Sequence, residues 1–383
     1  MGDFLKHFPL KLSWALAQAK TPVMLSDHLN FIQMKKLKKI TTAAIMVMAL
    51  AVVFQSCKKS AAKPDYNSDK SRLSAEIDSL TAVYNAAVEG KQAGDYVVGS
   101  KASLQTALTL AQGVKAGSFT QQQVNNAAAN LLRAGAQFSI NLIQQISAAN
   151  LVASWTFNGN ANDVSGHGHD GVLKTGWVGP YGVAPTDGGT LPVLVADRYG
   201  VANMAYDFNN AAYVEVPYAA ELRPASFTIC AWIKPHTSSD GNYIFSLDRW
   251  NGYKFQLQGG NLPFLTVLTN TGYHDQDDGG VPVVLDQWTQ VVSSFTNGTM
   301  KFYVNGALIR TVNVTGDPVA LTSPPPLAIG NELPKSYYNL TDPNSPNAYY
   351  GGNFFKGAID DVHLYNKVLS DTEVKSLYTM EQP

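Results

Sequence analysis

Cysteine is nearly absent from this chain. Two residues, Cys57 and Cys230, occur in 383, too few to staple a disulfide framework. Charge is sparse as well: Asp, Glu, Lys and Arg make up 15% of residues and sum to −1. Without a long run of like charges, the chain has no footing for a nucleic-acid partner held through phosphates. Long apolar runs are missing except over residues 41–54, about fourteen residues where a bilayer span needs about twenty. Carboxylate pairs are missing too. Glycoside hydrolysis takes two acids about 5.5 Å or 6.5–9.5 Å apart, which on one strand face means residues two or four apart. Glu215 stands alone on its predicted strand, and the adjacent Asp360 and Asp361 are expected to point to opposite faces. No catalytic residues are expected, and the chain reads as a non-enzyme.

Glycine (31) and tyrosine (18) are plentiful, as suits an all-β domain with many turns. Length alone predicts more than one domain. Met34-Lys35-Lys36-Leu37-Lys38-Lys39 followed by the apolar run has the form of a signal peptide over 34–56. It ends Phe54-Gln55-Ser56-Cys57, which resembles a loosened bacterial lipobox. The resemblance implies lipidation of Cys57 and an outer-membrane anchor, at the cell surface or on the periplasmic face. Residues 1–33 lack this logic and are read as preceding the true start, and 57–68 as a tether.

From about residue 69 the apolar period is helical. Leu73, Ile77, Leu80 and Tyr84 share one face, as do Leu104, Leu108, Ala111 and Val114, and then Val124, Ala127, Leu131, Ala134, Phe138 and Leu142. Thr120-Gln121-Gln122-Gln123 reads as a capping box, opening a third helix predicted to run over 120–147. Three amphipathic helices over 69–148 imply an antiparallel bundle. The segment resembles the FIVAR-type three-helix modules of bacterial surface proteins, implying a stiff stalk, or else a partner-binding bundle.

From residue 151 the period shifts to two. Eleven strand-like runs follow, separated by Asn-Gly at 251–252, 297–298 and 305–306 and by Gly-Gly at 259–260. The expected fold is a two-sheet jelly roll over 150–383. Its motifs include Trp155-Thr156-Phe157-Asn158-Gly159 near the start and Ala358-Ile359-Asp360-Asp361-Val362 near the end. Between them lie Tyr213-Val214-Glu215-Val216-Pro217, Phe227-Thr228-Ile229-Cys230-Ala231-Trp232-Ile233, Lys301-Phe302-Tyr303-Val304-Asn305-Gly306 and Leu327-Ala328-Ile329-Gly330-Asn331. In this order they resemble the concanavalin A-like laminin-G jelly rolls. The resemblance implies a binding module and pairing of the first and last strands. Cys230, inside an apolar strand pattern, reads as a small buried hydrophobe.

Candidate binding residues gather in the loop 333–354, too long to be a mere connection. Tyr337, Tyr338, Tyr349 and Tyr350 could stack on sugar rings, with Asn347 binding hydroxyls and Trp250 and Tyr273 joining from neighbouring loops. Alternatively, the loop packs on itself. Asn158, Asp163 and Asp360 are candidate ligands of a structural calcium, although such residues also form turns with no ion. Asp275, Asp277 and Asp286 match three positions of an EF-hand loop, but Gly279, Pro282 and the missing terminal Glu make it read as a solvated turn. His167 and His169 lack a third ligand and read as turn residues. The favoured function is glycan binding by a membrane-anchored lipoprotein. A protein-binding adhesion or assembly module is the alternative, and a glycanase is disfavoured.

Overall fold

The structure is a computed structural model that describes residues 64–383. The signal peptide expected over 34–56, the lipidation site Cys57, residues 1–33 and most of the tether lie outside the described residues.

Helices α1 (Ser71–Ala86), α2 (Ser100–Ala116) and α3 (Gln121–Ser139) pack around Leu73, Ile77, Leu104, Leu108, Leu131 and Phe138. Thr120 and Gln123 close the expected capping box, satisfying two backbone donors at the start of α3. The predicted third helix is too long, since α3 stops at Ser139. The backbone beyond it finds partners elsewhere: Val97 N donates to Asn141 O (2.9 Å), Ile143 N to Asp95 O (2.8 Å) and Gly94 N to Ile143 O (2.9 Å). Ile143 is buried as a result, while Leu142, which the helical period placed inside, is exposed.

Two-residue strands β1 (Glu89–Gly90) and β2 (Tyr96–Val97) pair within the helical segment. The sandwich begins with β3 (Leu151–Trp155), β4 (Val172–Lys174), β5 (Trp177–Val178), β6 (Thr186–Asp187), β7 (Val193–Val195), β8 (Ala205–Phe208) and β9 (Tyr213–Val216). It continues through β10 (Phe227–Pro235), β11 (Asn242–Leu247), β12 (Tyr253–Gln258), β13 (Leu262–Thr269), β14 (Gly272–Asp277) and β15 (Thr289–Thr296). It closes with β16 (Gly298–Val304), β17 (Ala307–Val314), β18 (Leu327–Ile329), β19 (Gly357–Tyr365) and helix α4 (Asp371–Glu381).

Sheet I has the order β17-β16-β15-β10-β19-β8-β7, with β3 also on β19, and sheet II the order β14-β13-β12-β11-β18-β9-β4. Alternate residues of both sheets turn inward, among them Trp155, Phe208, Phe227, Phe245, Phe255 and Phe302, each burial contributing about 1.5–3 kcal/mol. The first and last long strands pair as expected, Trp155 opposite Val362 and Ser154 opposite His363. Asn305 and Gly306, at φ 48° and 73°, form the hairpin turn between β16 and β17 that their sequence predicts.

The outer face of sheet I is covered by α4, packed on Cys230, Val292, Tyr303 and Tyr365. Here the alternation of β19 breaks. Cys230 pairs with His363 but Trp232 pairs with Asp360, so two residues oppose one, and Asp361 takes φ 42°. This β-bulge turns the two adjacent carboxylates toward one guanidinium, correcting the expectation of opposite faces. Arg198 Nη1 reaches Asp360 and Nη2 reaches Asp361, both at 2.6 Å. The end of α4 closes the cluster: Glu381 accepts from Trp232 Nε1 (2.7 Å) and Gln290 Nε2 (3.1 Å) and lies 3.1 Å from His363 Nε2. The same helix holds the helical bundle. Gln144 N donates to Ser376 Oγ (2.8 Å), Lys375 Nζ to Asn141 Oδ1 (3.1 Å) and Lys91 Nζ to Gln382 O (2.9 Å). The bundle is thus fastened to the sandwich.

Burial and the neighbouring Asp361 charge push the Asp360 carboxyl up from 3.8 to about 8. Burial alone would lower the His363 imidazole, but the hydrogen bond and charge of Glu381 raise it above 6.5. Both shifts leave the folded state holding protons that the unfolded state has released, so stability falls as pH rises. Urea midpoints are expected to drop from about pH 4, where unfolded Asp360 ionises, to above pH 8, with His363 adding to the decline above pH 6.5. In Asp360→Asn the decline should flatten; an unchanged slope would place the titration elsewhere.

Candidate functional site

The outer face of sheet II carries the polar half of each alternating strand. In β12, Tyr253, Phe255 and Leu257 face the core, so Lys254, Gln256 and Gln258 face out. Register then lays two rows across the sheet. One runs Ser246, Lys254, Thr266, Asp275 over β11, β12, β13 and β14; the other runs Tyr243, Gln256, Phe264 over the first three. Of these, Tyr243, Lys254, Gln256, Phe264 and Asp275 form, with Gln258, the floor of a cavity of about 300 Å³, whose walls are Trp250, Asp240, Gly241 and Asn353.

Lys254 lies at the bottom, 5% exposed. It makes no ion pair within 4 Å, donating instead to Gln256 Oε1 at 2.8 Å and lying 3.4 Å from the Tyr243 hydroxyl. Its ammonium sits 5.3, 5.4 and 5.7 Å from the ring centres of Tyr243, Phe264 and Trp250, an aromatic surround that favours the cation. Burial lowers it to about 8, while the charges of Asp275 and Glu332 pull it back upward. Thr266 Oγ1 donates to Asp275, and Gly259 N donates to Asp240 (2.8 Å). Fixed donors and acceptors thus converge beside a half-exposed indole.

The long loop after β18 bounds this cavity. Arg249 and Glu332, both fully buried, approach to 3.0 Å. They meet off the hydrogen-bonding direction, leaving Arg249 Nη1 and Glu332 Oε2 without a hydrogen bond. Nη2 of Arg249 donates to Pro346 O (2.9 Å) and Ala348 O (2.7 Å). Its guanidinium lies 4.3 Å from the Trp250 ring centre, 5.3 Å from Tyr350 and 5.8 Å from Tyr338. One buried cation therefore pins the loop and braces the rings.

This arrangement divides the residues expected to bind. Trp250 and Tyr350 come together at 5.4 Å, beside the cavity. Tyr338 and Tyr349 pack edge to face at 5.5 Å and turn inward, the first donating to Glu332 Oε1 (3.0 Å) and the second to Gly179 O (2.8 Å). They hold the loop down. Tyr337 is half-buried in a short 3-10 turn and Asn347 is half-buried beneath the loop. Tyr273 stands exposed on β14, opposite Leu268, and does not line the cavity. Sequence reasoning missed Lys254, Gln256, Gln258, Tyr243 and Phe264. Their signal was Lys-x-Gln-x-Gln in a strand whose other face is entirely apolar.

The calcium candidates are not brought together. Asp163 accepts from the backbones of Ser154 (2.9 Å), Ser165 (2.9 Å) and His169 (3.0 Å), a turn-forming role, and Asp360 pairs with Arg198. Asn158 is exposed, its carbonyl taken by Asn160. Among the described residues, no three His, Cys, Asp or Glu side chains gather as a metal site. Asp275 and Asp277 lie on β14, Asp277 paired with Arg310 at 2.8 Å, and Asp286 faces His236 at 2.6 Å. His167 Nδ1 lies 3.0 Å from Val152 O, a turn contact.

Residues 208–375 match the model of a family in the concanavalin A-like lectin/glucanases superfamily. The sandwich has the concanavalin A-like jelly-roll fold, and over these residues, less than half of the chain, it is similar to that laminin-G-type family. Over 165 residues, 40% of this chain, it is 24% identical to the adhesion G-protein coupled receptor V1 of Danio rerio, of whose length the match covers 2%. Among solved structures it is similar to domain 4 of AbnA, an extracellular arabinanase of Geobacillus stearothermophilus, in complex with arabinotriose. That likeness covers 60% of this chain and 98% of that one, with 19% identity and a TM-score of 0.45. The binding domain of Paraclostridial Mosquitocidal Protein 1 is also similar, at 16% identity and a TM-score of 0.41, over 60% of this chain and 52% of that one.

Removing one member of a buried ion pair costs about 3–5 kcal/mol, whereas replacing both by apolar groups costs far less. Glu332→Ala should therefore lower unfolding stability by about that amount, and Arg249→Met/Glu332→Leu should restore most of it, as read by urea denaturation. A Glu332→Ala protein as stable as the parent would remove the pair from this role.

Proposed function

We propose that the sandwich binds a glycan, without transforming it, in the cavity over Lys254, Gln256 and Gln258, and that the chain is a lipoprotein anchored through Cys57 outside the cytoplasm. The observation that carries the reading is the convergence of nine polar or aromatic side chains on one cavity of about 300 Å³ (Lys254, Gln256, Gln258, Asp240, Asp275, Asn353, Tyr243, Phe264 and Trp250). A few convergent polar groups against an aromatic wall are what a small polar ligand with one apolar face requires. A sugar ring offers both: axial C–H bonds for the indole and hydroxyls that donate to Asp and accept from Lys. The anchor rests on the Lys-rich, apolar stretch ending at Cys57, and either membrane face suits it.

A second reading draws on the same cavity, because Asp240 and Asp275 both line it and two carboxylates are what hydrolysis uses. The three floor positions two residues apart on β12 are Lys254, Gln256 and Gln258, none an acid, which favours binding alone.

The test is an oligosaccharide array probed with the intact chain, followed by calorimetry. Trp250→Ala and Gln258→Ala should each weaken binding at least about tenfold, or ~1.4 kcal/mol, with the bound oligosaccharide recovered uncut. Reducing ends that accumulate in the parent and vanish in Asp275→Asn would establish the hydrolase instead. An array silent throughout would favour a protein ligand.

A further inference from the structure

The Tyr350 ring stands between two others. On one side is Trp250 at 5.4 Å, inclined by 62°, and on the other Tyr181 at 5.8 Å, nearly parallel at 27°. Beyond Trp250 lies the cavity over Lys254. Beside Tyr181 lies a second cavity of nearly equal size, about 280 Å³, lined by Tyr181, Asn339, Thr341, Asp342, Ala348 and Tyr349. Tyr350 lines neither cavity.

The second cavity is unusual in its rim. Tyr181 is 64% exposed and Leu340 46% exposed, large apolar side chains left in water around polar ones. They are not loose. Tyr349 beneath them donates to Gly179 O (2.8 Å). Asn339 Oδ1 fixes the turn that follows, accepting from Thr341 N (3.0 Å) and Asp342 N (2.9 Å). Tyr350 is steadied by the buried Arg249, 5.3 Å from its ring centre. A row of rings in contact thus runs from a polar cavity to a second one, with its far end open to solvent.

Resting on the glycan reading above, we infer that the ligand is an extended oligosaccharide chain, seated across Trp250, Tyr350 and Tyr181 with one part in each cavity, and not a terminal sugar held in the first cavity alone. Two linked subsites raise affinity with ligand length until both are filled. The far subsite depends on Tyr181, the near one on Trp250.

Calorimetry on the intact chain with cello-, xylo-, laminari-, manno- and arabino-oligosaccharides, disaccharide to hexasaccharide, tests this. In a series that binds, affinity should climb about tenfold or more with length and then level off. Tyr181→Ala should abolish the climb while leaving the shortest ligand's affinity and the unfolding midpoint unchanged. Trp250→Ala should weaken short and long ligands alike. A flat length series, or a climb that survives Tyr181→Ala, would overturn the two-subsite reading while leaving the first cavity a glycan site. Failure of every series to bind at any length would overturn the glycan reading and this one with it.

Discussion

The buried contact between Arg249 and Glu332 decides what the outer face of sheet II can be. Two opposite charges, both fully buried, tie the turn after β11 to the chain leaving β18. The pair joins other holds on the loop over 331–356, among them the buried Leu333, Phe354 and Phe355 and the hydrogen bonds of Lys335 N to the Tyr213 hydroxyl and of Tyr349 to Gly179 O. Tyr338 uses Glu332 as its acceptor, and the Pro346 and Ala348 carbonyls use the guanidinium as their donor. A pair this deep is no net source of stability relative to an apolar substitute. What it supplies is placement. The loop borders the cavity over Lys254 through Asn353 and lines the second cavity through residues 339–343, 348 and 349, and Trp250 and Tyr350 are braced by one cation.

The opposite face of the sandwich uses charge in another way. On sheet I, three carboxylates, one arginine and one histidine gather under the end of α4, and the cluster forms because β19 bulges at Asp361. The bulge costs a ladder position and a left-handed backbone at a non-glycine residue. In return, Asp360 and Asp361 share Arg198, whose Nε donates to the Glu381 carbonyl (2.5 Å). Helix α4 is thereby held at its far end as well as by its apolar face, and the helical bundle is held to α4. The bundle meets the sandwich through the hydrogen bonds of Ser376 and Lys375.

Much of this was legible in the sequence, for reasons that differ between elements. The long strands alternate cleanly, as Phe227 to Ile233 and Tyr253 to Gln258 do, because one face of each meets the core. The capping box at Thr120 and the Asn305-Gly306 turn have local chemistry that fixes them whatever surrounds them. Short strands such as β4 to β7 carry two or three residues each, too few for a period to register. Helix α4 was overlooked although Ser370 and Glu373 form a capping box, since an apolar strand immediately precedes it. Expectations failed where distant partners override local pattern. Residues 140–143 leave the helical path to pair with 94–97, and the bulge reverses the side of Asp361. Of the loop aromatics, sequence could count the tyrosines but not say which would turn inward, because that depends on a buried charge almost a hundred residues away.

The missed floor residues show how a covered polar face differs from a solvated one. An outward lysine or glutamine on a strand is ordinarily in water and says nothing. Lys254 and Gln256 are buried, even though their strand neighbours Phe255 and Leu257 already fill the core side. A chain that covers a lysine without giving it a carboxylate within 4 Å leaves a donor whose partners are a neutral amide, a phenol and three ring faces. The amide oxygen takes one N–H at 2.8 Å and the phenol lies at 3.4 Å, so the ammonium, with three N–H bonds, keeps donor capacity to spare. The nearby acids, Asp240 and Asp275, are each held by a donor from their own surroundings, which fixes their positions while leaving oxygen lone pairs free. Lys254 donates to Gln256 (2.8 Å) and Gln256 to Gln258 (2.9 Å), a chain that places the floor side chains without the strong pairing of opposite charges.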